Sequence, residues 1–338
     1  MATKFDELLF SFNQLSEAEQ AKFIKAVKSS GKVVTLDDLL KSKRDDGIRC
    51  PHCGSTDVVR YGRRNGTQRY RCQDKGCGKM FSDLTGSILS ATRKDFQVWK
   101  RYVKCMMDGL SVRKSAAICK INRNTAFVWR HKILDALALL ATKQKRLGGI
   151  VEADETFFPL SYKGSRKNFG RKPHKRGGAT SKRGISREKV CVSCAIDRNN
   201  KSFSKVATLG KVTIQSLHAV LNRRISKSAI LCTDRERAYK AFTRRKGIKL
   251  VQVESGIAKL GVYHIQHINA YHSRLKQFIS KFKGVSTKYL NNYLVWNNAI
   301  METGMTRIGI LRQALKAVVF TRWLDIVCRP AVPLPILT

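Results

Sequence analysis

The sequence predicts a multidomain α/β protein in which a small cysteine-rich β module and a helical region precede a larger mixed α/β domain. The chain has 338 residues, about twice the length of a typical single domain. Four cysteines are grouped between Cys50 and Cys77, among short β-prone runs. After residue 146 the hydrophobic pattern changes from helical spacing to short apolar runs typical of buried strands.

The composition limits the classes of partner. With 66 lysine and arginine residues against 24 acidic residues, the formal net charge is +42 at pH 7, which exceeds what solubility requires. Such an excess predicts a polyanionic partner. Because 43% of the residues are hydrophobic, the chain can bury cores and is not a disordered basic tail.

Membrane and secreted classes are not expected. The sequence has no uninterrupted apolar run of about 18 residues, and its N-terminus lacks the layout of a signal peptide. We therefore expect a cytoplasmic protein without a membrane partner. In that compartment its ten cysteines are metal ligands or buried thiols rather than disulfides.

Changes in periodicity and composition predict the domain bounds. In the first segment, Ser16 and Glu19 have the spacing of a helix capping box. Residues 160–189 are rich in glycine and basic residues and are expected to form a mobile insertion. The expected segments are an N-terminal helical segment at 1–46, a zinc ribbon at 47–87, a helix-turn-helix domain at 90–146, a mixed α/β catalytic domain at 147–300 and a C-terminal tail at 301–338.

The zinc ribbon is predicted from paired cysteines. Cys50 and Cys53 form a CxxC pair, and Cys72 and Cys77 form a CxxxxC pair. Four thiolates at such spacing are typical of a closed structural Zn²⁺ site, which supplies folding energy that a module of roughly 40 residues cannot obtain from its own core. The alternatives are four unrelated thiols, or His52 in place of one cysteine.

Residues 108–130 have the pattern of two helices joined by a short turn. Small residues at Ala116 and Ala117 allow close approach, and Asn122 can cap the second helix. The angle between the helices is expected to be filled by Ile118, Ile121 and Val128. Candidates for reading bases are Arg123, Asn124 and Thr125, and candidates for phosphate contacts are Arg113, Lys114 and Arg130. The alternative is an ordinary packed helix pair.

Two aspartates follow apolar runs in the larger domain. Asp154 closes the run that begins at Ile150, and Asp234 closes the run that ends at Thr233. Carboxylates at neighbouring strand ends can converge on a divalent cation that bridges a phosphodiester. The alternative is a turn former or helix cap. Three further acids stand nearby: Glu152, Glu155 and Glu236. By strand alternation, Glu152 shares a face with Asp154. We expect it to contact the metal ligands without being a ligand itself.

A polar helix face completes the candidate site. Helical steps between His264 and Lys276 place one set of polar side chains together: Asn269, His272, Ser273 and Lys276. The opposite stripe is apolar: Ile268, Tyr271, Leu275, Phe278, Ile279 and Phe282. The polar face contacts a ligand or solvent; solvent is the alternative for Ser273, and a core or surface role is the alternative for His272. Cys191 and Cys194 lie within a strand and point to opposite faces, which indicates packing rather than metal binding.

Several motifs together resemble a known family. They are CPHCG at 50–54, QRYRC at 68–72, CGKMF at 77–81, EADETF at 152–157, CTDRERAY at 232–239, HIQHINAYHSRLK at 264–276 and GVSTKYLNNYLVW at 284–296. With the helix-turn-helix between them, they are similar to transposases of bacterial insertion sequences, in the ISXO-like group of the DDE superfamily. The resemblance covers about residues 47–300, and the last two motifs are the most specific.

The resemblance implies a ribonuclease H-like catalytic core that cleaves transposon ends with Mg²⁺ or Mn²⁺ and transfers the strand by the freed 3′-hydroxyl. Asp154 matches the first acid, Asp234 the second, Asn269 the third ligand and Lys276 the accompanying lysine. Many relatives carry glutamate at the third position, so this chain resembles the Asp-Asp-Asn-Lys branch. An amide oxygen adds no charge, and His272 is the reserve candidate for assisting the metal or a proton transfer.

The sequence-based prediction is therefore a DDE-type transposase with a two-metal mechanism. Its expected partners are double-stranded DNA, as the terminal inverted repeats and the target, and further copies of itself in a homodimer or higher multimer. We expect association with the bacterial nucleoid. The alternatives are a transposon-derived, sequence-specific DNA-binding protein without catalysis and a metal nuclease of another kind that cuts without joining.

Overall fold

A computed structural model describes residues 11–20, 36–45, 47–64, 66–90, 92–141, 146–164, 182–254, 260–302 and 314–315. Most of the predicted basic insertion, most of the tail and much of the N-terminal helical segment lie outside these residues. The described part is a mixed α/β structure with two separate sheets. It contains no helix that is long and apolar enough to cross a lipid bilayer.

The cysteine-rich module is a small antiparallel sheet. It consists of β1 (Val58–Arg64), β2 (Thr67–Cys72) and β3 (Met80–Ser82), preceded by helix α1 (Leu36–Arg44). Tyr70 and Phe81 stack with ring centroids 5.3 Å apart in its core. Only two cysteines join them there as fully buried residues among those described, so the module has little apolar surface with which to stabilise itself.

Three helices follow this module: α2 (Phe96–Met107), α3 (Val112–Cys119) and α4 (Arg123–Ala141). Ser111 caps α3 by accepting from the Lys114 amide, and Asn122 accepts from the Asn124 amide at the start of α4. Trp99 of α2 stacks on Trp129 of α4 with centroids 3.7 Å apart.

The packing between α3 and α4 differs from the prediction. Ile121 packs against the core, but Ile118 and Val128 are 48% and 46% exposed. The angle is filled instead by smaller or flatter side chains: Ala116, Cys119, Ala126 and Trp129. Of the two small residues predicted to allow close approach, Ala116 is buried, whereas Ala117 is exposed.

The second sheet has five strands: β4 (Ile150–Pro159), β5 (Lys189–Asp197), β6 (Ser202–Leu209), β7 (Ile230–Thr233) and β8 (Lys249–Gln252). Their spatial order is β6-β5-β4-β7-β8, so β4 is central. β5 is antiparallel to both of its neighbours, whereas β7 and β8 run parallel to β4. Asp154 does not end its strand as predicted, because pairing with β5 continues to Pro159.

Helices cover both faces of this sheet. α5 (Ile214–Leu221) and α6 (Arg237–Lys246) pack on one face. α7 (Gln266–Ser280) and α8 (Thr287–Glu302) pack on the other, together with the helices of the preceding region. Cys191 and Cys194 belong to opposite core clusters, as strand alternation predicts.

The helical region is joined directly to α8. Asn292 donates to Asp135 of α4 at 3.0 Å. The guanidinium of Arg130, also on α4, lies 5.7 Å from the ring centroid of Phe282 and 5.6 Å from that of Trp296. These contacts fix the orientation of α4 relative to the layer that carries α7.

Candidate functional site

The parallel pairing of β4 with β7 brings the two predicted aspartates together. The register joins Ile150 to Ile230 and Glu152 to Cys232. Continued by two residues along each strand, it places Asp154 beside Asp234. Burial, with a smaller contribution from the negative charge of Asp234, raises the pKa of Asp154 to about 6. A divalent cation bound between these two partly buried carboxylates would offset the repulsion between their negative charges.

Local backbone contacts orient both carboxylates. Oδ1 of Asp154 accepts from the amide of Glu155 at 2.8 Å, and Oδ1 of Asp234 accepts from the amide of Glu236 at 3.0 Å. The second bond is the turn-forming contact that was the alternative interpretation of Asp234. It engages one oxygen, so a turn role and a ligand role are compatible.

His272 is the α7 side chain that reaches Asp154. Its Nδ1 lies 3.7 Å from Oδ2 of Asp154, and its side chain is 10% exposed. Burial, with a contribution from the charge of Lys276, lowers the pKa of His272 to about 4, so the imidazole is neutral at neutral pH. Its Nε2 is buried without a hydrogen-bond partner in the described structure. A buried nitrogen without a hydrogen-bond partner costs free energy.

The other predicted residues on α7 are exposed. The positive charge of Lys276 lowers the pKa of Asp154 and of His272, which places Lys276 close to both. Asn269 lies nearly one turn before His272, on the exposed face of α7. Ser273 is exposed and donates to the backbone oxygen of Asn269 at 3.2 Å, as its solvent alternative predicted.

The three neighbouring glutamates have different surroundings. Glu155 accepts a short hydrogen bond from the Tyr239 hydroxyl, and burial raises its pKa to about 8. Glu236 caps α6 and pairs with Lys211 at 3.2 Å. Glu152 is 1% exposed and faces α7. The negative charges of Asp154 and Asp234 add to the rise in the pKa of Glu155, whose amide also donates to Oδ1 of Asp154.

A cluster that sequence reasoning missed surrounds Glu152. Its Oε1 lies 2.8 Å from Nη1 of Arg198, 2.8 Å from Nδ1 of His267 and 3.3 Å from Nδ1 of His264. Glu152, His264 and His267 have the composition of a metal site. The HIQH pattern signals the two histidines, but nothing in the sequence places Arg198 beside them.

The four predicted zinc ligands converge. Sγ of Cys50 lies 3.7 Å from that of Cys77, and Sγ of Cys53 lies 3.6 Å from that of Cys72. A tetrahedral site with Zn–S bonds of about 2.3 Å requires sulfur separations of about 3.8 Å. The cysteines therefore fit a zinc ion. His52 is exposed and is not part of this group.

Most of the candidate DNA contacts lie on the surface. Arg113, Lys114, Arg123 and Asn124 are exposed, and Thr125 is half-buried. The prediction that Arg130 contacts phosphate is wrong. Arg130 is 1% exposed and donates to the carbonyl of Leu110 at 2.7 Å, so its guanidinium does not reach the surface. Its position on α4 points into the aromatic layer of α8, which the sequence pattern did not reveal.

A basic cleft lies where the cysteine-rich sheet meets α2. Its volume is about 810 Å³, and four cations line it: Arg64, Arg69, Arg93 and Lys94. Asp95, the acid in this lining, accepts from the amide of Gln97 at the start of α2. Sequence reasoning missed this cleft because its cations come from separate segments.

Comparison with known proteins relates this geometry to DNA recombination. Residues 146–295 match the family described as ISXO2-like transposase domain. A protein of Halobacterium salinarum, described as an uncharacterized protein in transposable element ISH50, is 28% identical over 74% of this chain and 83% of its own length.

Solved structures give weaker likenesses. The Mos1 transposase paired-end complex with the left transposon end is 11% identical, covers 97% of each chain and has a TM-score of 0.27. The pre-cleavage Mos1 transpososome is 12% identical, covers 93% of this chain and 95% of that chain, and has a TM-score of 0.23. At these scores neither likeness supports an argument about this chain.

Proposed function

We propose that this chain, an insertion-sequence transposase whose residues 146–295 match the ISXO2-like transposase domain, binds the terminal inverted repeats of its element and catalyses metal-dependent DNA cleavage and strand transfer. The observation that carries the proposal is the convergence of Asp154 and Asp234 opposite His272 and Lys276. The strand order, with β5 antiparallel to its neighbours, supports a ribonuclease H-like core.

Asp154 and Asp234 are the proposed anchors for Mg²⁺ or Mn²⁺. The residues fit such an ion, because the two partly buried carboxylates lie close together and Nδ1 of His272 lies 3.7 Å from Oδ2 of Asp154. When bound, metal ions in this arrangement stabilise the attacking and leaving oxygens of a phosphodiester. The chain's own part is to hold these ligands in a fixed geometry between β4, β7 and α7.

The third ligand comes from α7. The family motif assigns Asn269, whereas the 3.7 Å contact with Asp154 favours His272. A neutral imidazole is suited to Mn²⁺ more than to Mg²⁺, which prefers oxygen. If Asn269 is the ligand, His272 remains the candidate for a proton transfer at the attacking or leaving oxygen.

Lys276 is proposed to position the substrate. A positive charge near Asp154 on an exposed helix face suits a DNA phosphate close to the scissile bond. Lysine cannot ligate a cation while it carries its own charge, so the role that remains is an ion pair with phosphate.

DNA recognition is assigned to the preceding modules. The exposed start of α4 presents Arg123 and Asn124, with Thr125 behind them, to bases, while Arg113 and Lys114 contact phosphates. This is the helix-turn-helix interpretation of α3 and α4. The cleft beside α2 adds phosphate contacts, and Zn²⁺ held by the four cysteines stabilises the ribbon that forms one wall of that cleft.

Incubation with end DNA tests the proposal. DNA that carries the element's flanking repeats is incubated with the protein, with and without Mg²⁺ or Mn²⁺, and products are separated on a denaturing gel. We expect cleavage at the repeat boundary and joined products, both dependent on metal. Binding without cleavage would favour the DNA-binding alternative, and cleavage without joining would favour another nuclease. A multimer on paired ends is expected, and sizing of the protein–DNA complex measures it.

A further inference from the structure

Helix α7 has a long local contact at its start, from the Gln266 amide to Nδ1 of His264 at 3.3 Å, but no capping side chain at the N-cap position itself. Ile265 stands at its N-cap position, and no side chain at that position accepts a hydrogen bond. The amide of Ile268 in the first turn instead donates to Oε2 of Glu152 on β4, at 3.0 Å. A carboxylate at a helix N-terminus satisfies an amide that otherwise lacks a partner and faces the positive end of the helix dipole.

The other oxygen of Glu152 is held by Arg198. This arginine lies in the turn between β5 and β6, and its Nη1 donates to Oε1 of Glu152 at 2.8 Å. The same nitrogen lies 2.8 Å from Nε2 of His264, and Nη2 donates to the carbonyl of Val262 at 3.0 Å. One buried carboxylate thus joins the central strand, a turn and the segment that leads into α7.

Arg198 also argues against a metal at this cluster. Glu152, His264 and His267 could together ligate a cation, but the guanidinium already lies within hydrogen-bond distance of Glu152 and His264. A metal ion would have to displace a permanent positive charge. The cluster therefore functions as a polar clamp.

The polar clamp lies next to the aspartate site, two residues away along β4. Glu152 and Asp154 are two residues apart on the same face of β4, a separation of about 6.6–6.8 Å along a strand. Ile268 and His272 are four residues apart on α7, a rise of about 6.0 Å. The strand and the helix thus meet at two matched points: Glu152 with the Ile268 amide, and Asp154 with the His272 ring.

We infer that Glu152 is a positioning residue that fixes the register of α7 against β4 and thereby holds the His272 face of the helix opposite Asp154. This inference rests on the proposed metal-dependent function of that site. The buried side chains of Ile268, Tyr271 and Leu275 hold α7 on the sheet. Without the Glu152 contact, the first turn of the helix loses its polar bond to β4, and the position of His272 opposite Asp154 is less tightly fixed.

Two measurements on the full chain test the inference. The first is amide hydrogen exchange in the first turn of α7, which needs no metal. Glu152→Ala removes the acceptor, so we expect exchange at Ile268 to accelerate at least about tenfold relative to wild type. Glu254→Gln is the control, because Glu254 forms an exposed ion pair with Arg235 at 2.7 Å. Unchanged exchange at Ile268 in Glu152→Ala would overturn the inference.

The second measurement is a double-mutant cycle on Mn²⁺ affinity. The affinity is obtained from the spectroscopic signal of the bound ion. We expect Glu152→Ala, which removes the acceptor of the Ile268 amide, to weaken Mn²⁺ binding about tenfold in wild type and less than about twofold in a His272→Ala background, because its effect passes through His272. Equal losses in both backgrounds would show an independent structural role and overturn the inference.

Folding is controlled separately. Glu152→Ala leaves Arg198 without its carboxylate, which can destabilise the domain. The double variant Glu152→Gln with Arg198→Gln removes both charges and keeps an acceptor for the Ile268 amide, so we expect it to bind Mn²⁺ within about twofold of wild type. An affinity loss in this double variant equal to that of Glu152→Ala would overturn the inference. Mn²⁺ binding by Asp154→Asn that equals wild type would contradict the proposed function and with it the inference. Normal binding by wild type and by Glu152→Ala would contradict the inference alone.

Discussion

His272 on α7 presents Nδ1 at 3.7 Å from Oδ2 of Asp154 on β4, while the other ring nitrogen is buried and has no partner in the described structure. The contact joins a helix to the strand that lies at the centre of the sheet. His272 is therefore the α7 side chain that contacts Asp154, whereas Asn269 is exposed. Substituting each residue in turn can distinguish their roles.

The first prediction compares these two residues. We expect His272→Ala to reduce Mn²⁺-dependent cleavage of end DNA by about a hundredfold or more, because it removes the buried nitrogen nearest Asp154. Asn269→Ala is expected to reduce it less, since that side chain is exposed. Single-turnover cleavage rates at saturating DNA measure both. Near-normal cleavage by His272→Ala with inactive Asn269→Ala would restore the motif-based assignment.

The second prediction concerns the stability of the metal-free protein. Burial raises the pKa of Asp154 from 3.8 to about 6, so the native state binds the proton more tightly than the unfolded chain. Between the unfolded-state pKa and the native-state pKa, the free energy of unfolding falls as pH rises. Above pH 6 the native protein carries the full cost of burying the ionised Asp154 carboxylate. Asp154→Asn removes it, and we expect the free energy of unfolding at pH 7 to increase by about 2–3 kcal/mol.

Denaturant unfolding at two pH values checks this sign. The gain in Asp154→Asn should shrink as pH falls and disappear at about pH 3 or below, where the wild-type carboxyl is protonated in both states. The same variant should bind end DNA normally and fail to cleave it. A variant that is less stable than wild type at pH 7 would contradict the assignment of burial as the dominant cause. Asp45→Asn, at an exposed position, serves as the control.

The third prediction concerns zinc. Because the sulfur separations fit a tetrahedral ion, purified protein should contain about one Zn²⁺ per chain. Cys72→Ser should lose it and unfold the small sheet, which has little core of its own, while the five-stranded sheet stays folded. Elemental analysis and limited proteolysis report these two effects. Cys105→Ser, which changes a buried cysteine on α2, should keep the metal.

Local pattern predicted some parts of the site and not others. The apolar runs placed Asp154 in β4 and Asp234 directly after β7, because both runs are short stretches of chain, although Asp154 was expected at the end of its strand. The extension of β4 to Pro159 depends on its pairing with β5, which lies beyond a long insertion. Likewise, helical spacing placed Asn269 and His272 on one face, but the rotation of α7 on the sheet decides which of them faces Asp154.

Long-range contacts explain the remaining differences. Helical periodicity gives no sign that Arg130 turns toward Phe282 and Trp296, since those rings belong to elements much later in the chain. The partner of Glu152 is equally distant, because Arg198 lies in a turn whose sequence is ordinary. Side chains that bridge elements are decided by tertiary packing, which a single sequence does not encode locally.

The last prediction separates Arg130 from the surface cations of the same region. Arg113→Met should weaken binding to all DNA sequences and reduce the slope of log affinity against log salt by about one, as expected for one lost phosphate contact. Arg123→Ala should instead lower the preference for end DNA over random DNA. Arg130→Met should leave the salt slope unchanged, because the guanidinium is buried against Leu110, Phe282 and Trp296.

Arg130→Met should show its effect in stability. The substitution removes a charged hydrogen bond to the Leu110 carbonyl and two contacts with aromatic rings, so we expect a loss of about 1–3 kcal/mol in the free energy of unfolding. Salt-dependent binding isotherms and denaturant unfolding on the same three variants measure the contrast. If Arg130→Met reduced the salt slope as Arg113→Met does while keeping wild-type stability, then Arg130 would reach phosphate after all, and α4 would have to leave α8 when DNA binds.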